Sequence, residues 1–179
     1  MEIEKLKECF KSALAEEQKG KKHKGLLVTA PNQKDAEEYI KKAKDELELC
    51  DFLKKRGTDY KLPEQWYYVL YFCALAIIAK IGIESRSQRC TAMLLKYLKD
   101  KKVIDYQEEF IDKITVHKEK GKESEVDKRE EARYSSWIKN DEIIKRYDKM
   151  ILICKEAISK TEEIVFSTQE FKVPEELLN

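Results

Sequence analysis

Between Gln65 and Lys80 the chain reads WYYVLYFCALAIIA, with no charged or amide side chain from Trp66 to Ala79. In a chain of which 40% is charged, such a run must be shielded on every side. A helix needs roughly 20 apolar residues to cross a bilayer; the run falls short of that, and Lys80 ends it abruptly. The expected structure is therefore a central helix, apolar all round and enclosed by other helices or by a partner subunit. No membrane association is expected.

The flanking sequence supplies helices to enclose it. Ile3, Leu6, Phe10 and Leu14 recur at helical spacing over residues 2–18, an amphipathic stripe. The basic stretch KGKKHK then opens a glycine- and proline-containing break, expected to be a flexible loop. Asn32 is placed to cap a second helix reaching Arg56, with Ala36, Ile40, Ala43, Leu47 and Cys50 inward and Gly57 as its stop. Pro63 suits the first turn of the central helix, which Gly82 ends.

Ser87 is placed to cap a fourth helix through Lys99, with Cys90, Leu94, Tyr97 and Leu98 inward. Val103, Tyr106, Phe110 and Ile114 mark a short amphipathic piece reaching His117. A nearly all-charged stretch from His117 to Arg133 follows. The last helix, Asn140–Phe171, carries Ile144, Tyr147, Ile151, Cys154, Ile158 and Val165 at spacings of three and four. LLVT is the longest strand-like segment. The fold class is all-α: a mostly antiparallel, up-and-down bundle of five or six helices. Residues 1–23 form an N-terminal helix and basic loop, and 24–179 the bundle, within one domain.

With 36 Lys+Arg against 35 Asp+Glu, the net charge is +1, which opposes duplex binding through a whole-surface basic field and leaves room for a local basic groove. Five cysteines, an odd number without metal-ligand spacing, together with the lack of a signal peptide fit a reducing cytoplasm. Cys50, Cys73 and Cys154 fall on apolar helix positions as small hydrophobes. With only two histidines, His23 and His117, neither a metal site nor a cofactor is expected. Phosphate-loop, dinucleotide, zinc-protease and nucleophile-elbow motifs are all missing. Acidic pairs such as Glu37-Glu38 and Glu162-Glu163 belong to solvated helix faces.

Four stretches together resemble the HEPN superfamily, small helical domains of prokaryotic toxin–antitoxin and RNA-processing systems. KGLLVTAPNQKDAEEYIKKAKDELELCDFLKKRG is similar to that family's lead-in and first long helix. EQWYYVLYFCALAIIAKIGIES resembles its aromatic second helix, and RSQRCTAMLL the start of the next. DKREEARYSS resembles an Arg-x-x-Ala-x-Tyr element, supplied here by Arg129, Ala132 and Tyr134. The likeness spans residues 24–170.

The resemblance implies a homodimer that binds single-stranded RNA or a nucleotide and works beside a minimal nucleotidyltransferase. Ribonuclease members carry an Arg followed four to six residues later by His, which moves the proton of the RNA 2′-OH while the cation holds phosphate. Here Gln88 and Tyr134 stand where histidine would be expected, and a phenol is a poor base at neutral pH. A binding or interaction module is therefore expected ahead of an enzyme. A metal-independent endoribonuclease using Arg129 and Tyr134, or a purely structural dimer, are the alternatives. Candidate phosphate contacts are Arg86, Ser87, Gln88, Arg89, Arg129 and Arg133; Arg86 and Arg89 sit where a helix N-terminus adds amide donors. Trp66, Tyr67 and Tyr68 are expected mainly in the core.

Overall fold

The computed structural model describes residues 2–115, 128–129 and 140–178. Among them are six α-helices: α1 (Glu2–Gln18), α2 (Gln33–Arg56), α3 (Leu62–Ile81), α4 (Gln88–Asp100), α5 (Glu108–Ile114) and α6 (Asn140–Val165). A short antiparallel pair, β1 (Leu26–Val28) and β2 (Ile83–Ser85), accompanies them, with Leu26 opposite Ser85 and Val28 opposite Ile83. The molecule is mostly helical, as composition and periodicity predict.

α3 is the axis. Trp66, Val69, Leu70, Cys73, Ala74, Ala76, Ile77 and Ile78 are all buried. Together with the 3₁₀ turn before it, α3 forms a run of 23 residues, Asp59–Ile81, long and apolar enough to cross a membrane. Length does not weigh against a span as the sequence suggests; the relevant fact is that 78% of its most apolar window is buried inside the protein. Each buried Leu or Ile side chain withdraws apolar surface worth roughly 1.5–3 kcal/mol from water.

α2 and α6 enclose this axis. Tyr39 stacks on Phe72 and Lys80 donates to Gln33, so α2 runs antiparallel to α3. The ion pairs Lys44–Glu162 (2.6 Å) and Lys54–Asp148 (3.9 Å) make α2 antiparallel to α6 as well. α3 and α6 therefore run in the same direction, with Trp66 beside Tyr147 and Cys73 near Thr161. The expected antiparallel order holds for α2 with both neighbours and fails between α3 and α6.

Local signals are obeyed where the chain turns. The Asn32 side chain accepts from the Asp35 N–H at 3.0 Å. Gly57 and Gly82 close α2 and α3 in the left-handed conformation, which glycine adopts without steric cost. Some inward positions shift by one residue. Ala13 is buried in place of Leu14, and Ile143 in place of Ile144, since a straight stripe drifts against the neighbour it covers. α6 ends at Val165, six residues before Phe171, which packs into the core from an extended tail. α5 begins only at Glu108, because Ile104 and Tyr106 are buried ahead of it without being helical.

Cysteine usage departs from expectation. Cys9 on α1 and Cys90 in the first turn of α4 form a disulfide with their Cα atoms 6.1 Å apart. Cys50, Cys73 and Cys154 take no part in a disulfide and are fully buried, the small-hydrophobe role expected of them.

Candidate nucleic-acid interface

The segment following Gly82 becomes β2 and then α4, and hydrogen bonding fixes each polar residue there. The Ser87 hydroxyl accepts from the Cys90 N–H at 3.3 Å, capping α4 as predicted. Thr91 Oγ1 donates to the Ser87 carbonyl (2.9 Å) and lies 2.7 Å from Ser85 Oγ. The Tyr71 hydroxyl of α3 lies near Thr91. Ser87 therefore caps α4, its hydroxyl oxygen accepting there. Gln88 is half-buried, and its Nε2 has no hydrogen-bond partner.

The two arginines expected to contact phosphate from the start of α4 stand in different surroundings. Arg86 Nε donates to Glu84 Oε1 at 2.6 Å, whereas Arg89 is exposed and has no carboxylate partner among the described residues. Strand alternation explains it: Glu84 and Arg86 share one face of β2 and its extension, while Arg89 already belongs to α4. Arg86 borders two cavities. One, of about 570 Å³, is lined by Thr29, Asn32, Asp35, Tyr39, Glu84 and Arg86 among others. The other, of about 260 Å³, lies between Arg86 and the loop at Lys21–His23.

Arg129 stands elsewhere, over the start of α3. Its guanidinium carbon is 4.2 Å from the centroid of the Tyr67 ring and 6.0 Å from that of Tyr68, a cation–π arrangement. Tyr134 and Arg133 lie outside the described residues, as do Asp127, Glu130, Glu131 and His117.

Between Arg129 and Arg86 runs a row of aromatic rings. Tyr67 stacks on Tyr71 at 5.6 Å and meets Tyr68 edge-on at 5.3 Å. Tyr68 stacks on Phe72 at 5.8 Å, and Phe72 on Tyr39 of α2 at 6.2 Å. The reason is helical spacing: 67 with 71 and 68 with 72 are i, i+4 pairs, and α2 brings Tyr39 against the second. Lys42 Nζ lies 5.3 Å from the Tyr39 centroid and 5.8 Å from that of Phe72. Tyr39, Tyr68, Tyr71 and Phe72 are half-buried. Trp66 faces the other way, fully buried against Tyr147 and Arg146.

These phenols are donors, not bases. Burial, then the neighbouring Tyr71, pushes the Tyr67 hydroxyl well above its ordinary value, and Arg129 only partly offsets this. Burial, then the Asp35 and Glu84 carboxylates, raises Tyr39, with Arg86 opposing. Burial also raises Tyr71. Protonated rings flanked by fixed cations suit planar and anionic groups; they do not supply proton abstraction at neutral pH. Among the described residues no group of three His, Cys, Asp or Glu is placed to hold a metal ion.

Sequence reasoning singled out Arg86 and Arg129, and placed Trp66, Tyr67 and Tyr68 mainly in the core, where Trp66 and Tyr67 are buried and Tyr68 is half-buried. It missed Tyr39, Lys42, Tyr71, Phe72 and Glu84, although the i, i+4 aromatic spacing in YYVLYF carried a signal for two of them. Comparison with protein-family models, curated proteins and solved structures finds no match.

Proposed function

We propose that this chain is a HEPN-like module that binds single-stranded RNA or a nucleotide, working in the cytoplasm as a homodimer beside a minimal nucleotidyltransferase of a toxin–antitoxin pair. The partner, the dimer and the compartment rest on the resemblance carried by residues 24–170. The binding role rests on one observation: the half-buried row Tyr39–Phe72–Tyr68, with Lys42 over one end and Arg129 over Tyr68 and the buried Tyr67 at the other. Single strands are held by cations that follow the backbone and by aromatic faces that accept any base, each stacked base contributing about 1–3 kcal/mol.

Binding of a labelled single-stranded RNA across a salt series tests this. Tyr68→Ala is expected to weaken binding about fivefold or more, the lower end of that stacking range. Arg129→Ala is expected to weaken it and to lessen the salt dependence by about one phosphate contact. Superimposable curves for wild type and both variants would sink the reading. Light scattering of the purified protein checks the dimer.

A further inference from the structure

The loop after α1 is held firmly. The Lys21 N–H donates to the Glu16 carbonyl at 3.0 Å, and the Lys24 N–H to Glu16 Oε2 at 2.6 Å. Gly20 sits in the left-handed conformation at the turn. The flexible loop expected for KGKKHK is thus an ordered segment that delivers Lys21, Lys22 and His23 to the cavity of about 260 Å³ shared with Glu17, Glu84 and Arg86.

Three features of this cavity point to an anion. Lys21 and Lys22 are exposed and have no carboxylate partner among the described residues. Arg86 uses Nε on Glu84, which leaves its two terminal amino groups, four of the five donors of a guanidinium, without an acceptor among the described residues. His23 is only 4% exposed, with Nε2 3.3 Å from Glu84 Oε1, and its Nδ1 has no partner. A buried ring nitrogen without a partner, in a wall that holds Lys21, Lys22 and Arg86 beside the carboxylates of Glu17 and Glu84, calls for a ligand atom.

We infer that this cavity takes a terminal phosphate monoester: Lys21, Lys22 and the free end of Arg86 supply charge, and His23 Nδ1–H supplies a directed donor. With Nε2–H donating to Glu84, Nδ1 can donate only when the ring holds both protons, so the anion and the second proton bind together. Glu84 balances the protonated ring. The charged groups that line the cavity with His23 are Glu17 from α1, Lys21 and Lys22 from the loop, and Glu84 and Arg86 from β2 and its extension. A monoester end carries more charge than an internal diester and exposes three oxygens, which suits several converging donors. The carrier of the phosphate, a strand end or a free nucleotide, rests on the function proposed above; the cavity does not.

The test compares one short single-stranded RNA, labelled at its 3′ end, bearing either a 5′-monophosphate or a 5′-hydroxyl. Wild type is expected to prefer the phosphorylated strand about tenfold, the scale of one charge-assisted contact set. Lys21→Gln combined with Lys22→Gln, two surface changes, should collapse that preference towards unity. Tyr68→Leu should weaken both strands in proportion and keep the preference. Displacement of the phosphorylated strand by adenosine 5′-monophosphate at similar affinity would support the pocket with a free nucleotide as the carrier. Equal binding of both strands by wild type would overturn the pocket and leave RNA binding intact. If neither strand binds, inorganic phosphate titrated against the full chain by NMR decides. Saturable shifts at His23 and Gly25 that Lys21→Gln/Lys22→Gln abolishes uphold the pocket, and unmoved resonances there refute it.

Discussion

Glu108, in the first turn of α5, receives hydrogen bonds from Lys96 (2.7 Å) and Lys99, both on α4. These contacts hold its carboxyl down at about 2, against an ordinary value of 4.5. A depressed carboxylate adds stability that is complete above its unfolded value and is lost as pH falls through its folded one. The α4–α5 contact should therefore weaken between about pH 4.5 and pH 2, not near neutrality. Because Glu108 is partly solvated, its share is small, at most about 1 kcal/mol. Glu108→Gln should remove that acid-dependent share, which denaturant melts recorded in steps down this range would detect. An unchanged acid profile in the variant would show that the two lysines do not bind it in solution. At the same scale, the side chains were only partly legible from sequence. Caps such as Asn32 and Ser87 were, because a short polar side chain before a helix has one local use. The pairing of Arg86 with Glu84 was not, because long charged side chains choose among neighbours that strand alternation alone decides.

At the scale of elements, Gly82 joins the central helix to the strand that carries Glu84 and Arg86. Its φ is +93°, and an added Cβ would lie 2.8 Å from the Thr29 carbonyl oxygen and 3.0 Å from the Pro31 nitrogen. Both neighbours are backbone atoms of the segment leading from β1 into α2, bound to this turn by Thr29 N–H to the Gly82 carbonyl and Asn32 N–H to the Ala79 carbonyl. Gly82→Ala must therefore pay in strain and in contact, together about 1–3 kcal/mol or more. In a domain of this size each kcal/mol moves the midpoint by about 2–4 °C, so calorimetry would see it. The phosphorylated-strand preference should fall with it, since Arg86 is displaced along with β2; a variant as stable as wild type would mean that the β1–β2 segment yields more easily than its hydrogen bonds imply. Helices were legible in the sequence because each repeats its apolar positions over several turns. The strand pair was only half legible: LLV stood out, but IES offers no alternation of its own and becomes a strand only because β1 lies beside it. The aromatic row was hidden for a similar reason, since Tyr39 meets Phe72 through the α2–α3 packing, a contact made between elements.

For the whole molecule, the Cys9–Cys90 link is the long-range tie that composition did not announce. Five scattered cysteines contain no spacing that pairs any two of them, and residues 81 apart meet only after α1 has docked on β1 and α4. The docking is close: an added Cβ at Gly25 would lie 2.2 Å from the Cys9 carbonyl oxygen. Leu6, Phe10 and Ala13 bury the inner face of α1, so the helix has apolar reasons to stay in place without the bond. What the bond adds is chiefly a smaller unfolded ensemble, by about 4 kcal/mol for a loop of this length in the chain-entropy treatment. Cys9→Ser, or a dithiol reductant, should therefore lower the midpoint of unfolding while leaving helix content at low temperature unchanged. The free thiols supply an internal control. Burial, then Glu46, pushes Cys50 up to about 12, and burial pushes Cys73 up to about 12, so neither should react with an alkylating agent until the chain unfolds. Protein trapped with such an agent during lysis and then unfolded in it should carry three alkyl groups if the bond exists in the cell, at Cys50, Cys73 and Cys154. Five would mean that Cys9 and Cys90 are thiols there, the state a reducing cytoplasm favours. In that case the stability gain would appear only after purification in air, and α1 would rest on its apolar face alone.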